Sequence, residues 1–187
     1  NYVDEGLVAD IGTYINDEEI GIADYESTVD KGAWDEANSF SDGKMHIFPL
    51  ITSGPVFFYN ADIYDELGLS APATWAELEE NSRAVKEAYP EKYGFAFDSL
   101  TDGGQTLISQ TGNEIVDPET KTVTFNTPEV VEQVEWYANG VKEGLFMQSP
   151  TADYFSGDFN SGLLASYIGS VAGVPYLELE NWAVAPL

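Results

Sequence analysis

The chain has 187 residues, 43% apolar and 13% aromatic, which is enough for a packed core in one large domain or two small ones. Seven basic residues against thirty-three acidic ones give a formal net charge of −26, which argues against nucleic acid and anionic lipid as partners. The absence of cysteine excludes disulfides, thiolate nucleophiles and zinc-thiolate sites.

The chain contains no run near the roughly 18 to 20 apolar residues of a membrane span and no signal-peptide pattern. It opens at Asn1 within sequence that is already typical of a folded region. We therefore expect the true N-terminus to lie upstream.

The first 47 residues predict helices and loops, and the turn from Ser41 to Lys44 leads into a β-like run over residues 45–51. Pro49 cannot donate a ladder hydrogen bond, so we predict that this strand lies at a sheet edge or ends there. The following residues, Thr52 to Gly54, are where we expect the chain to turn and a hinge to lie.

The segment from Gly54 to Glu80 begins with an apolar run, Val56 to Tyr59, that predicts a buried strand. Asn60 or Asp62 can cap the helix that follows, and Gly68 is expected to end it. Further along, Thr74 and Glu77 have the spacing of a capping box, which predicts a second helix over residues 75–89.

Downstream, residues 93–97 predict a buried strand that leads into a polar loop, Asp98 to Gln105. Loops at strand ends are where open α/β sheets bind ligands. Asp98 and Asp102 resemble a calcium loop only weakly, the EF-hand spacing is absent, and we predict no metal site. A short helix is expected over residues 105–110.

A surface strand is predicted over residues 121–125, and Thr127 with Pro128 predicts the start of another helix, closed by Gly144. The predicted buried face of this helix consists of Val130, Val134, Tyr137 and Val141. The last third of the chain alternates helix and strand, which favours an α/β layered domain. Its predicted elements are a helix over 153–160, a strand over 163–168, a turn at Gly169-Ser170, a helix over 171–177 and a strand over 182–186.

The order of motifs within residues 54–80 is a strand ending in YN, an acidic helix ending in LGL, and P-x-TW-x-E-L. This order resembles the crossover segment of the extracellular solute-binding proteins of ABC importers, of the maltose-binding type. Three more segments resemble motifs of that family in the same order: Asp42-Gly43-Lys44 with Phe48-Pro49, residues 159–165 with Ile168-Gly169-Ser170, and residues 182–187 ending in A-P-L.

The resemblance implies two α/β lobes of the periplasmic-binding-protein type II fold, each with a mixed sheet flanked by helices. It implies that residues 1–54 are the tail of the first-lobe segment leading to the hinge and that residues 55–187 form most of the second lobe. Because such proteins are about twice the length of a single domain, we expect this chain to be an internal fragment of an incomplete two-lobe fold.

The function implied by the resemblance is extracytoplasmic binding of a solute, a mono- or oligosaccharide, and its delivery to an ABC permease by closure of the two lobes. The protein would be a monomer in the periplasm or lipid-anchored outside the membrane, without cofactor or enzymatic activity. Sugar binders place aromatic rings on the pyranose and polar groups on its hydroxyls. By resemblance, Tyr154 would supply the ring and Asp98 the hydroxyl acceptor. The full set implied to face the cleft is Thr52, Ser53, Gly54, Asp98, Ser99, Thr101, Tyr154, Ser170 and Val171.

Three alternatives remain open. Sugar binders often carry tryptophan after the turn at Ser170, but here Val171 follows, so another small solute such as a polyamine is an alternative ligand. A glycosidase built on a carboxylate pair is a second possibility, although His46 is the only histidine and GSVAG lacks the G-x-S-x-G spacing. A cell-surface binding module without a permease partner is the third.

Overall fold

The structure is a computed structural model that describes residues 2–148 and 154–186. The chain divides into two compact units, Asn1–Ser53 and Gly54–Leu187. None of the helices in the described part of the chain is long and apolar enough to cross a bilayer.

The first unit is helical, as predicted. Aspartates begin two of its helices, because Asp10 accepts a hydrogen bond from the amide of Gly12 and Asp30 accepts from Gly32 and Ala33. A small core joins the helices to the segment that follows them in sequence, and its buried residues are Ile15, Tyr25, Ala37 and Met45. The helices are α1 (Ile11–Ile15), α2 (Tyr25–Thr28) and α3 (Lys31–Ala37).

The prediction of a strand over residues 45–51 is wrong, since this segment forms no ladder with any described strand. Two of its carbonyls are taken by the helical part of the unit, where Ile11 N donates to Met45 O at 2.7 Å and Tyr25 Oη donates to Pro49 O at 2.8 Å. Phe48 stacks on the Tyr25 ring at 5.0 Å. Because Pro49 has no N–H, the segment is bound by single contacts instead of a sheet.

The single histidine has a structural role in this unit. His46 Nε2 lies 3.0 Å from Asp42 Oδ2, and His46 Nδ1 lies 2.8 Å from Ala9 O. The hydrogen bond to Asp42 raises the pKa of His46 and lowers the pKa of the Asp42 carboxyl. Both ring nitrogens are therefore engaged in holding the segment before Pro49.

The second unit is a mixed sheet flanked by helices, which confirms the predicted α/β class. Its main sheet has the strand order β5-β2-β6-β1-β7, and β3 pairs with β4 as a separate hairpin. Strands β2, β5 and β6 are mutually parallel in their pairings, while β1 is antiparallel to both β6 and β7. The strands are β1 (Pro55–Asn60), β2 (Phe95–Phe97), β3 (Val116–Asp117), β4 (Thr122–Val123), β5 (Phe146–Met147), β6 (Ser166–Ser170) and β7 (Trp182–Ala185).

Side chains alternate along the buried strands, so the sheet has apolar side chains on both faces. Helices cover both of these faces. On one face, Phe57, Phe95 and Ile168 pack against helices α4 to α7, and on the other Phe58 and Tyr167 pack against α8. The helices are α4 (Ala61–Leu67), α5 (Trp75–Ala88), α6 (Leu100–Gln110), α7 (Pro128–Lys142) and α8 (Ser156–Asn160), with a 3-10 helix at Val171–Tyr176.

The predicted caps of three helices are confirmed. Asn60 Oδ1 accepts from Ile63 N, Thr74 Oγ1 accepts from Glu77 N, and Thr127 Oγ1 accepts from Val130 N. Gly68 ends α4 in the left-handed region with φ 65°. Glu77 Oε2 completes the start of α5 by accepting from Ala73 N, one residue earlier than a capping box requires.

Several predicted boundaries need correction. Helix α6 begins at Leu100, so most of the predicted loop from Asp98 to Gln105 is helical. Val134 is 53% exposed, because α7 turns only part of its predicted face towards the core. Strand β6 begins at Ser166 instead of 163, and residues 171–176 form a 3-10 helix that contains Pro175. Residue 153, the predicted start of α8, lies outside the described residues.

Candidate functional site at the carboxyl edge of the main sheet

Most strands of the main sheet in the second unit end at the same edge of that sheet. Strands β2, β5 and β6 run in one direction, and β7 shares it because β1 is antiparallel to both β6 and β7. The carboxyl edge, as we call it, therefore includes the residues at or just after the ends of these strands and the residue before β1. Those residues are Gly54, Asp98, Gln148, Ser170 and Pro186.

Asp98 is fixed at this edge by its backbone and by its side chain. Its amide donates to Ile168 O at 2.9 Å, and its Oδ1 accepts from the amide of Phe155 at 2.7 Å. Burial raises the pKa of the Asp98 carboxyl, the hydrogen bond from Phe155 opposes this shift, and the nearby Asp102 adds to it. The carboxylate is half-buried and held in one orientation.

The same hydrogen bond positions Tyr154. Phe155 is only 2% exposed and belongs to the core beneath α8, whereas its neighbour Tyr154 is 75% exposed. The Phe155 backbone is thus fixed at Asp98, and the ring of the neighbouring Tyr154 is exposed at the surface. Exposed tyrosine rings can bind both apolar and polar groups of a solute.

Gly169 allows β6 to pass close to this carboxylate. A Cβ atom at Gly169 would lie 2.6 Å from Tyr167 Cε2 and 3.1 Å from Asp98 Oδ2. A larger residue would displace the Asp98 side chain, so glycine keeps the ends of β2 and β6 in contact.

Gly54, Ser170 and Val171 meet on the other side of β6. Pro55 pairs with Ser170, and Val171 N donates to Gly54 O at 3.1 Å. Ser170 Oγ accepts from Ala172 N at 3.0 Å, which starts the 3-10 helix. Val171 is 43% exposed, so its side chain forms a small apolar surface there.

Ser99 and Thr101 lie at the start of α6, which follows Asp98 directly. Ser99 Oγ accepts from Asp102 N at 3.2 Å and caps the helix. Thr101 lies in the first helical turn and is exposed. Both residues are thus near the carboxyl edge, although on a helix instead of the predicted loop.

Thr52 and Ser53 are the last residues of the first unit. Thr52 is exposed and lines a cavity of about 200 Å³ within that unit, together with Tyr25, Pro49 and Ile51. The structure therefore brings together Gly54, Asp98, Ser99, Thr101, Tyr154, Ser170 and Val171 within the second unit, and Thr52 and Ser53 belong to the first.

Sequence reasoning missed an apolar crevice of about 270 Å³ next to this edge. Trp75 and Leu78 of α5 form one wall, and Phe57 and Ile168 form the floor. Its signals in the sequence are Trp75 in the predicted first turn of α5 and Pro186 after the last predicted apolar run. The remaining lining residues are Pro72, Ala73, Thr74, Gln110 and Pro186.

Within residues 2–148 and 154–186, no group of three or more Asp, Glu or His side chains is arranged to hold a metal ion. Asp98 and Asp102 both lie at the start of α6, where Asp98 is engaged with Phe155.

Comparison with known proteins gives a match over the whole chain, because the family model described as bacterial extracellular solute-binding protein matches residues 1–187. A Brucella abortus protein named as a binding protein is 25% identical over 194 residues, covering 100% of this chain and 44% of that protein. The sn-glycerol-3-phosphate-binding periplasmic protein of Agrobacterium fabrum is 31% identical over 116 residues, covering 56% of this chain and 26% of that protein.

Solved structures have the same fold. The ABC substrate-binding protein of Listeria monocytogenes in complex with cycloalternan superposes with a TM-score of 0.79 at 23% identity, covering 98% of this chain and 48% of that one. The chain thus spans less than half the length of each of these three proteins.

Proposed function

The chain belongs to the family of bacterial extracellular solute-binding proteins, and from this premise we propose that its carboxyl edge binds a small polyhydroxylated solute outside the cytoplasm. The solute, a mono- or oligosaccharide, is enclosed when a second lobe closes over this edge and is then delivered to an ABC permease. In this proposal residues 1–54 lead from the first lobe to the hinge, residues 55–187 form most of the second lobe, and the protein acts as a monomer without catalysis.

The observation that supports this proposal most strongly is the convergence of polar groups at one sheet edge. Asp98, Ser170 and the exposed Tyr154 are far apart in sequence, yet each is anchored at or beside the carboxyl edge by a backbone contact. Ligands of open α/β sheets bind at the carboxyl ends of strands, and their sites combine apolar surface with a few fixed polar groups.

We assign each residue a role from its side-chain chemistry. The Tyr154 ring stacks on the apolar face of a pyranose, and Asp98 Oδ2 accepts a hydrogen bond from a solute hydroxyl. Ser170, Val171 and Gly54 contribute a hydroxyl, a small apolar surface and a backbone carbonyl region at the second side of β6. Ser99 and Thr101 add hydroxyl groups at the start of α6.

The proposal is tested by isothermal titration of the full-length protein with maltose, cellobiose, D-mannitol and ribitol. We expect saturable binding of at least one solute, recovered unchanged. Tyr154→Ala should weaken binding about tenfold because it removes the stacking surface, whereas Tyr154→Phe should change it less than about twofold because the ring is kept.

Both variants should unfold at the wild-type temperature, because the Tyr154 side chain is 75% exposed. Hydrolysis of maltose or cellobiose to glucose would favour the glycosidase alternative. Equal affinities of the alanine and phenylalanine variants would remove Tyr154 from the site.

A further inference from the structure

Building on the proposed function, we infer that the solute bound at the carboxyl edge carries a basic nitrogen beside its hydroxyl groups, as amino sugars do, and that phosphate esters are excluded. The basic side chains of the second unit are distributed unequally between the two edges of its main sheet.

Most of the basic side chains of the second unit are held at the opposite edge of the sheet, where β2, β5 and β6 begin. Lys86 Nζ donates to Lys92 O at 3.2 Å, and Lys92 Nζ donates to Gly162 O at 2.6 Å. Arg83 is paired with Glu79 and with Glu143, each at 2.7 Å, at the end of α7 that leads into β5. These cations are engaged away from the carboxyl edge.

The other two basic residues of this unit do not belong to the carboxyl edge either. Lys142 is the last residue of α7, on the side where β5 begins, and Lys121 lies in the turn between β3 and β4. Three segments that contribute to the carboxyl edge, residues 98–111, 154–161 and 169–177, contain no lysine, arginine or histidine. They do contain Asp98, Asp102 and Asp158.

Asp98 is consequently a half-buried carboxylate without a cationic partner in these segments. Its Oδ1 accepts a hydrogen bond from Phe155 N, and within residues 2–148 and 154–186 Oδ2 takes part in no hydrogen bond or ion pair. When a lobe closes, this carboxylate loses water, and an unpaired buried charge is costly. A protonated nitrogen on the solute compensates that charge and forms a charge-assisted hydrogen bond, which a hydroxyl group cannot match.

A phosphate ester meets the opposite situation. Phosphate is recognised by arginine, by lysine or by the free amides of a helix N-terminus. Here the start of α6 is capped by Ser99 and carries Asp102 in its first turn, and Asp98 precedes it. A dianion at this edge would face carboxylates. We therefore infer a different ligand for this chain than the sn-glycerol 3-phosphate in the name of the Agrobacterium relative.

The test uses the full-length protein and probes that share a skeleton: cellobiose, the chitosan disaccharide, D-glucose 6-phosphate and sn-glycerol 3-phosphate. Titrations are run at mildly acidic pH, where the sugar amines are protonated. We expect the chitosan disaccharide to bind about five- to tenfold more tightly than cellobiose, and the phosphate esters to give no saturable binding.

Asp98→Asn removes the negative charge and keeps the local structure, because the asparagine oxygen can still accept the hydrogen bond from Phe155. This variant should reduce the affinity ratio of chitosan disaccharide to cellobiose to about one. Asp65→Asn is the matched control, since it removes one negative charge from an exposed position on α4 and should leave the ratio unchanged.

Tightest binding by a phosphate ester, or a ratio that Asp98→Asn does not alter, would overturn the inference while the solute-binding function stood. Binding of none of these probes, nor of the neutral solutes above, would instead contradict the proposed function and the inference with it.

Discussion

Replacement of Phe95 by alanine is expected to destabilise the second unit by about 3 to 5 kcal/mol, the usual cost of removing a fully buried phenylalanine. Phe95 is 0% exposed and lies at the centre of an aromatic cluster. Its ring centroid is 4.9 Å from Phe97, 5.5 Å from Phe146 and 6.4 Å from Phe57. The change would leave a cavity between β1, β2 and β5 that the neighbouring rings cannot fill.

The free energy of unfolding is measured by urea denaturation, and Phe125→Ala is the matched control. Phe125 is 37% exposed in the loop before α7, so the same substitution should cost less than about 1 kcal/mol there. Equal losses at the two positions would show that the aromatic cluster does not stabilise this sheet.

Gly94→Ala is expected to destabilise the protein by about 3 kcal/mol, at the upper end of the range for overpacking in a tight core. A Cβ atom at Gly94 would lie 2.3 Å from Ser82 Cα, which is backbone of α5 and cannot rotate away. Ser82 is 1% exposed, and the Gly94 carbonyl accepts from Ser166 Oγ at 2.6 Å. Relief of the clash would therefore move α5 away from the sheet or break this buried hydrogen bond.

Gly104→Ala provides the opposite expectation in the same unit. Gly104 lies inside α6, and a Cβ atom there would have no heavy atom within 4 Å. Alanine should stabilise the helix by about 0.5 to 1 kcal/mol, because glycine loses more backbone entropy on folding. Urea denaturation should thus shift the two variants in opposite directions, and a shift of Gly94→Ala towards higher stability would be inconsistent with the packing described here.

Local signals in the sequence predicted local structure well. Asn60, Thr74 and Thr127 each cap a helix with their own side chain, and the hydrogen bond spans three residues. Such contacts depend only on neighbouring residues, so spacing is enough to predict them. The same holds for Gly68, where a left-handed residue ends α4.

The prediction of a strand over residues 45–51 was wrong because strand formation depends on a partner strand elsewhere in the chain. A β-like run becomes a strand only if another strand offers a ladder, and here Ile11 and Tyr25 take its carbonyls instead. The predicted loop from Asp98 to Gln105 was wrong for a related reason, since Ser99 can begin either a turn or a helix. The helix is accompanied by close packing of Gly103 on Phe97, two residues that are not adjacent in sequence.

The candidate site could be predicted only as separate pieces. Motif resemblance placed Asp98 and Ser170 at a cleft, but the hydrogen bond from Phe155 to Asp98 spans 57 residues and depends on the strand order. The apolar crevice beneath Trp75 likewise requires α5, β1 and β6 to be packed together. Such contacts between distant segments are properties of the fold and not of any one segment.

The most direct test of the carboxyl edge as the solute-binding surface is hydrogen exchange, followed by mass spectrometry, on the full-length protein with and without the tightest-binding solute. We predict slower amide exchange in residues 98–105 and 169–173 when the solute is bound, and little change in residues 142–146 and 162–165 at the opposite edge. Slower exchange confined to the opposite edge, or the same change at both edges, would contradict the proposed site.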